Sequence, residues 1–151
     1  MELKLPTVAV PVKVALAGRP AVEAEIFVTD VPANRHALLE AVVTLLDEEA
    51  AFLPVRVAGA IELYAKHAVA WLSVARAPEL EEVALYDREH RVEIALAAGE
   101  PLRGSVFDSS PAARRRLADH LNRAGRFIRL WTTAAHVLVN KAQIVRVKEV
   151  E

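Results

Sequence analysis

A chain of 151 residues is long enough for one ordinary domain or two very small ones, and 54% of it is apolar. Aromatic residues make up only 5%, which leaves few rings to stack on nucleotide bases, and cysteine is absent, which excludes disulfides and thiolate sites. The formal net charge of −1 hides an asymmetry, since residues 1–78 carry −2, residues 79–91 carry −3 and residues 92–147 carry +5. The basic charge therefore belongs to the second part of the chain.

The beginning of the chain shows no targeting signal. "MELKLPTVAV" contains neither a long apolar run nor a small-residue cleavage site, so we expect no signal peptide, no transmembrane helix and no membrane partner. Together with the missing cysteines, this favours a cytoplasmic location.

The first elements follow from hydrophobic periodicity. "VKVALA" (12–17) alternates as a half-buried strand does, and "GRP" (18–20) turns it back into a second strand, "AVEAEIFV" (21–28). Pro32 suits a first helical turn, and Asp30 is a candidate cap. Helical spacing follows at Leu38, Leu39, Val42, Leu45 and Leu46. Three short strands come next, "FLPVRV" (52–57), "AIELYA" (60–65) and "AVAWLSV" (68–74).

The second part of the chain repeats this order. It reads "VEIALA" (92–97), "GEP" (99–101), "LRGSVF" (102–107), "SPAARRRLA" (110–118), "FIRLW" (127–131), "HVLVN" (136–140) and "QIVRV" (143–147). Its helix is predicted from Leu117, Leu121 and Ala124, with Ser110 as cap candidate and Gly125 as the stop. The clearest echo pairs "LYAKHAV" (63–69) with "LVNKAQI" (138–144). We predict a duplication, with units at 1–76 and 92–151 and an acidic linker at 77–91.

The opening hairpin "VEIALAAGEPLRGSVFD" (92–108) and the closing pair "LYAKHAVAWL" (63–72) resemble Sm-like proteins, small SH3-like barrels that include the Hfq-like RNA chaperones. In Hfq-like proteins a Tyr-Lys-His-Ala string joins the last two strands, and its lysine and histidine line a uridine site. The resemblance therefore implies RNA binding at Lys66 and His67. Here Ala65 interrupts the string, the second copy has no histidine, and the helix follows the second strand instead of preceding the first. The pieces "RRLADHLN" and "LVNKAQI" are also similar to small bacterial proteins of unknown role.

Repeat and resemblance together predict an α+β protein of two similar units, packed as one compact body. Each unit is expected to be a small antiparallel SH3/Sm-like barrel or sheet with one inserted helix. Units of about 65 residues are marginal alone, so their mutual packing, or a dimer, should supply much of the stability.

Two groups of residues are candidate binding sites. Lys66 and His67 offer two donors, but a solvated strand connection also needs polar residues, and Lys141 recurs in the second unit without the histidine. The second group is basic and could meet phosphates or an acidic protein surface. As the exposed face of a helix it needs no ligand, and three consecutive arginines spread over about 200° of a helix. Its members are Arg114, Arg115, Arg116, Arg123, Arg126 and Arg129.

No catalytic or metal-binding set stands out. The five histidines, at 36, 67, 90, 120 and 136, show no paired ligand spacing, and Asp108-Ser109-Ser110 with His120 or His136 lacks a nucleophile elbow. We therefore expect a non-enzyme without a cofactor. The first hypothesis is a module that binds a protein partner or associates with itself. The alternative is an Sm-like RNA-binding protein that uses Lys66, His67, Lys141 and the basic region from Arg114 to Arg129.

Overall fold

The computed structural model describes residues 7–29, 35–75, 88–108, 116–123 and 125–150. We call residues 7–75 the first half and residues 88–150 the second half. The first half contains β1 (Thr7–Leu16), β2 (Val22–Thr29), α1 (Arg35–Asp47), β3 (Phe52–Val57), β4 (Ala60–Ala65), a 3₁₀ turn (Lys66–Ala68) and β5 (Val69–Ala75). The second half contains β6 (Arg88–Leu96), β7 (Leu102–Asp108), α2 (Leu117–Leu121), β8 (Phe127–Trp131), β9 (Ala135–Asn140), a 3₁₀ turn (Lys141–Gln143) and β10 (Ile144–Glu149).

The ten strands in the described ranges belong to one sheet, in the order β10-β6-β7-β8-β9-β5-β1-β2-β3-β4. Every pairing in it is antiparallel. The two halves meet where β5 pairs with β9, from Trp71 opposite Val139 to Ala75 opposite Ala135. We call this pairing the joint.

The predicted α+β protein of two SH3/Sm-like barrel units is wrong. Of the described residues, about 60% are in strands and about 19% in helices, and the strands form a single antiparallel sheet. The physical reason lies at the joint, where backbone hydrogen bonding between β5 and β9 continues one ladder across both halves. The inserted helices are also unequal, since α1 has 13 residues and α2 has 5. Of the predicted linker, residues 88–91 already belong to β6, and residues 77–87 lie outside the described residues.

The first hydrophobic core lies between the sheet and α1. Alternate residues of β1 and β2 point into it, as a strand with one buried face requires, and α1 covers them with Leu39, Val42 and Leu46. Leu138 of β9 also belongs to this core, although it comes from the second half. The joint is therefore packed as well as hydrogen-bonded.

The second core is smaller and is built around β6, β7, β8 and β9. Trp71 of β5 packs against it from the first half. Gly104 of β7 shows how tightly its strands approach, because a Cβ there would collide with the carbonyl oxygen of Trp131 on β8. A glycine at this position is what allows Ser105 and Trp131 to pair.

Candidate functional site

The two 3₁₀ turns lie side by side at one end of the joint. Asn140, the residue before the second turn, is buried and holds them together. Its Nδ2 donates to the carbonyl oxygens of Lys66 at 3.1 Å, His67 at 3.3 Å and Val69 at 2.9 Å, while its Oδ1 accepts from the Ala142 N–H. One amide thus caps its own turn and anchors the turn of the other half. We call the two turns and Asn140 the turn junction.

Lys66 lies within the turn junction, and its side chain is buried. Its Nζ donates to the carbonyl oxygens of Leu45 at 2.9 Å and Glu48 at 3.1 Å, at the C-terminal end of α1. These carbonyls have no partner within the helix, and a cation there also suits the helix dipole. Burial lowers the pKa of Lys66, with Glu48 opposing that effect. The arrangement gives Lys66 a structural role, which is to cap α1.

Lys141 does the same in the second half, because its Nζ donates to the carbonyl oxygen of Arg123 at 2.6 Å, just after α2. The two lysines thus recur because each fastens its turn to the helix before it. This bond is more exposed than those of Lys66 and involves one carbonyl instead of two. A lysine after a short strand and before a 3₁₀ turn is therefore explained without any ligand.

His67 differs from both lysines because its residue is exposed. Its carbonyl oxygen accepts from Asn140 and, at 2.8 Å, from Nε2 of Gln143. A cavity of about 370 Å³ adjoins the turn junction, and it is lined by Lys66, His67, Arg126, Phe127, Asn140, Lys141 and Ala142. Four predicted site residues, the two lysines, His67 and Arg126, therefore come together here.

The other basic residues do not gather at this cavity. Arg123 lies 3.4 Å from Oδ1 of Asp108, and Arg129 forms an ion pair with Glu40 of α1. The backbone N–H of Arg126 donates to Oδ1 of Asp47 at 3.0 Å. Arg114 and Arg115 lie outside the described residues, and Arg116 is exposed immediately before α2. Arg126 and Arg129 thus link the second half to α1 of the first.

A buried polar cluster distinguishes the second core. His90 and Asp108 take the places that Val10 and Val28 hold in the first core, because His90 faces Val106 as Val10 faces Ile26. Asp108 lies 3.7 Å from Nδ1 of His120, and Nδ1 of His90 lies 3.2 Å from Oε1 of Glu149. The sequence singled out Asp108 with His120 as residue types of a nucleophile set, and the structure does bring these two together. It did not indicate that His90 is buried, although extending the echo of "VKVALA" and "VEIALA" backwards by two residues would have matched His90 with Val10.

The buried polar cluster shows a shifted histidine pKa but no metal-binding group among the described residues. Burial lowers the pKa of His120 and outweighs the nearby carboxylate of Asp108, which raises it. Within the described ranges, no group of three or more histidine, aspartate or glutamate side chains could hold a metal ion. The Asp108 carboxylate instead lies close to the Arg123 guanidinium and to the His120 ring, and so links the C-terminal end of α2 to β7.

Large apolar side chains are exposed mainly at the two outer edges of the sheet. β4 pairs only with β3, and β10 pairs only with β6, among the strands that the structure describes. Phe52 lies at the start of β3, beside β4, and Ile61 and Leu63 lie on β4 itself, while Val145 lies on β10. Val22 on β2 is the remaining large hydrophobic residue that is exposed in the described chain. We call β4 and β10 the free edges.

Comparison of this chain with protein-family models, with curated proteins and with solved structures finds no match. The resemblance to Sm-like proteins therefore stays a prediction from the residues that carry it. Among the helices in the described ranges, none combines the length and the apolar composition needed to cross a bilayer.

Proposed function

We propose that this protein is a non-catalytic interaction module that binds protein partners through the free edges of its sheet. The observation that carries the proposal is the position of the exposed apolar residues, four of which (Phe52, Ile61, Leu63 and Val145) lie at or beside the free edges. An edge strand presents unpaired backbone N–H and C=O groups, and proteins commonly protect such edges with charge, proline or a covering segment. An extended segment of a partner can pair with such an edge.

Backbone geometry identifies which residue of β4 offers a hydrogen bond to a partner. The Lys66 N–H donates to Ala51 on the β3 side, and N–H groups alternate along a strand, so Tyr64 and Glu62 also point towards β3. The N–H groups of Ile61, Leu63 and Ala65 therefore point outwards, with that of Leu63 in the middle. A proline at position 63 removes this central outward donor while leaving the pairing with β3 intact, since proline is tolerated on edge strands.

The test compares Leu63→Pro with the matched control Leu63→Val, which keeps the N–H and an apolar side chain. Each full-length chain carries a photo-crosslinking residue in place of Ile61, and the crosslinked proteins in cells are identified by quantitative mass spectrometry. We expect at least one partner that the wild type and Leu63→Val capture and that Leu63→Pro loses. That partner must then bind the purified chain with the same dependence. Identical captured sets for all three chains would contradict the proposal.

RNA binding is a second candidate function, and the cavity at the turn junction is the observation that favours it. His67 and Arg126 are the exposed polar residues of its lining, and two such donors suit a phosphate or a base edge. Three or four phosphate contacts would make log affinity fall with log salt at a slope of about −2 to −3. The measurement is a salt titration of short U-rich and A-rich RNA against the wild type, His67→Ala and Arg126→Ala. Affinity that is unaffected by either substitution would exclude this cavity as the site.

A further inference from the structure

The pairing of β5 with β9 at the joint can be compared with the free edges of β4 and β10, which lack such a partner strand within the described ranges. With "LYAKHAV" set against "LVNKAQI", β4 corresponds to β9 and β10 corresponds to β5, at a constant offset of 75 residues. β9 pairs with β5 within the chain, whereas β4 and β10 have no neighbour on that side in the described part of the molecule. The edge that β4 presents is therefore the equivalent of one face of the joint, and the edge that β10 presents is the equivalent of the other.

Burial at equivalent positions follows this difference. Leu138 on β9 is 1% exposed and belongs to the first core, while its counterpart Leu63 on β4 is 63% exposed. Ala70 on β5 is 4% exposed, while its counterpart Val145 on β10 is 69% exposed. The apolar side chains at the free edges are thus those that the joint would bury.

Even the irregularity of the strands is shared. The pairing of β5 with β1 shifts register at Ala70, and the pairing of β10 with β6 shifts at Val145, the same position of the repeat. A β-bulge of this kind sets the local twist of an edge. β10 therefore has the register irregularity that, in β5, accompanies pairing with β9.

From these correspondences we infer that two copies of the chain pair head to tail, with β4 of one copy docking on β10 of the next. The inference rests on the proposed function and names its partner as a second copy. Because the two surfaces differ, the contact is heterologous, and repeating it gives a closed ring or an open chain of copies.

The joint also fixes the register of this contact. Trp71 faces Val139, Leu72 faces Leu138 and Ser73 faces Val137 at the joint. Applying the offset of 75 residues places Arg146 opposite Tyr64, Val147 opposite Leu63 and Lys148 opposite Glu62 of the neighbouring copy. In this register the contact brings together Glu62 and Lys148, which carry opposite charges.

Charge disfavours the alternative, in which like edges pair. Two antiparallel β10 strands centred on Val147 would place Arg146 of each copy opposite Lys148 of the other, and these like charges repel. The external contact also lacks one feature of the joint, because Ala65 stands where β9 has Asn140. The three hydrogen bonds that Asn140 makes across the joint have no counterpart there, so the contact between copies should be weaker than the joint.

The test measures the assembly of the full chain by sedimentation velocity across a wide range of concentration at low salt. We expect the wild type and Leu63→Val to assemble with concentration and Leu63→Pro to stay monomeric. Glu62→Lys and Lys148→Glu should each weaken assembly about tenfold, because each places like charges opposite one another. Circular dichroism and thermal unfolding must show that every variant is folded.

Mixing the two charge variants gives the sharpest result. In an assembly in which the two variants alternate, there are two kinds of contact. The lysine at position 62 of the Glu62→Lys chain faces the glutamate at position 148 of the Lys148→Glu chain. At the other contact, Glu62 faces Lys148 as in the wild type. The mixture should therefore assemble as the wild type does. A mixture that assembles no better than its components, a closed dimer unaffected by Lys148→Glu, or a wild type that stays monomeric would overturn the inference.

The same experiments separate this inference from the proposed function on which it rests. A monomeric wild type that still captures another protein in a Leu63-dependent manner would leave the proposed function standing and remove the second copy as its partner. The loss of both results would overturn both.

Discussion

Leu138 on β9 and Leu63 on β4 hold equivalent positions in the two halves, yet the first is buried in a core and the second faces solvent. The side chains are identical and their strands have the same length. The difference comes from the neighbour, because β5 covers the edge of β9 and no described strand covers the edge of β4. Burial at this position is thus decided by strand pairing across the sheet, and the leucine itself is suited to either environment.

Truncating the two leucines should separate the two environments most clearly. Leu138→Ala is expected to lower the free energy of unfolding by about 2–5 kcal/mol, because it leaves a cavity in the first core. Leu63→Ala should change it by no more than about 0.5 kcal/mol in dilute solution, where no second copy covers the residue. Urea unfolding followed by circular dichroism measures both. Equal losses for the two variants would show that the edge of β4 is covered within the chain.

The two lysines of the 3₁₀ turns extend the comparison to the helices. Lys66→Met should lower the free energy of unfolding by about 1.5–3 kcal/mol, since it removes charged hydrogen bonds from two carbonyls at the end of α1. Lys141→Met removes a single hydrogen bond, which is more exposed than those of Lys66. It should lower the free energy of unfolding by less than half as much. The same unfolding measurement decides. A larger loss for Lys141→Met would contradict the structural role assigned to Lys66.

Asn140 tests the joint through its hydrogen bonds. Asn140→Ala removes a buried side-chain donor from the carbonyl oxygens of Lys66 and Val69, of which the Lys66 oxygen keeps the Val69 N–H, and should cost about 1–2 kcal/mol. Gln143→Ala is the matched control, because it removes a single exposed bond to His67 and should have a much smaller effect. Hydrogen exchange at the amides of β5 and β9 should rise in Asn140→Ala more than elsewhere. If exchange in Asn140→Ala rises equally in all strands, the Asn140 side chain does not stabilise the joint in particular.

Hydrophobic periodicity predicted where the strands lie along the chain much better than it predicted which strands pair with one another. The alternation of Val12, Val14 and Leu16 and the Gly18 turn place a hairpin correctly, because both signals are local. Alternation shows which face of a strand is buried, but it carries no information on which edge pairs with which. The joint therefore could not be read from "AVAWLSV" and "HVLVN", and two barrel units packed together were predicted in place of one continuous sheet.

Some features of the candidate site could likewise be predicted from the sequence, and others depend on strand pairing. Lys66 and Lys141 stood out in the sequence because they recur, and the structure shows that both recur as helix caps. That the cavity beside them also takes in Arg126 could not be foreseen, since it depends on β8 lying next to β9. Asp108 was considered only as part of a nucleophile set, and the burial of His90 was overlooked, because only the comparison with Val10 and Val28 marks both as polar residues in core positions.

Burial of His120 near the second core should make the stability of the protein sensitive to acid. Burial holds the pKa of His120 below its ordinary value of 6.5, with Asp108 opposing and Arg123 and His90 adding to the shift. The unfolded chain then takes up a proton near pH 6.5 that the folded chain binds only at lower pH. The free energy of unfolding should therefore fall as the pH drops from 6.5 towards the folded pKa, and His120 adds no further loss below it.

His120→Gln should flatten this part of the stability profile, because it removes the group that takes up the proton. The measurement is urea unfolding at a series of pH values, and the effect is the smallest of the four because it involves one proton. A profile that His120→Gln does not alter would assign the acid sensitivity elsewhere.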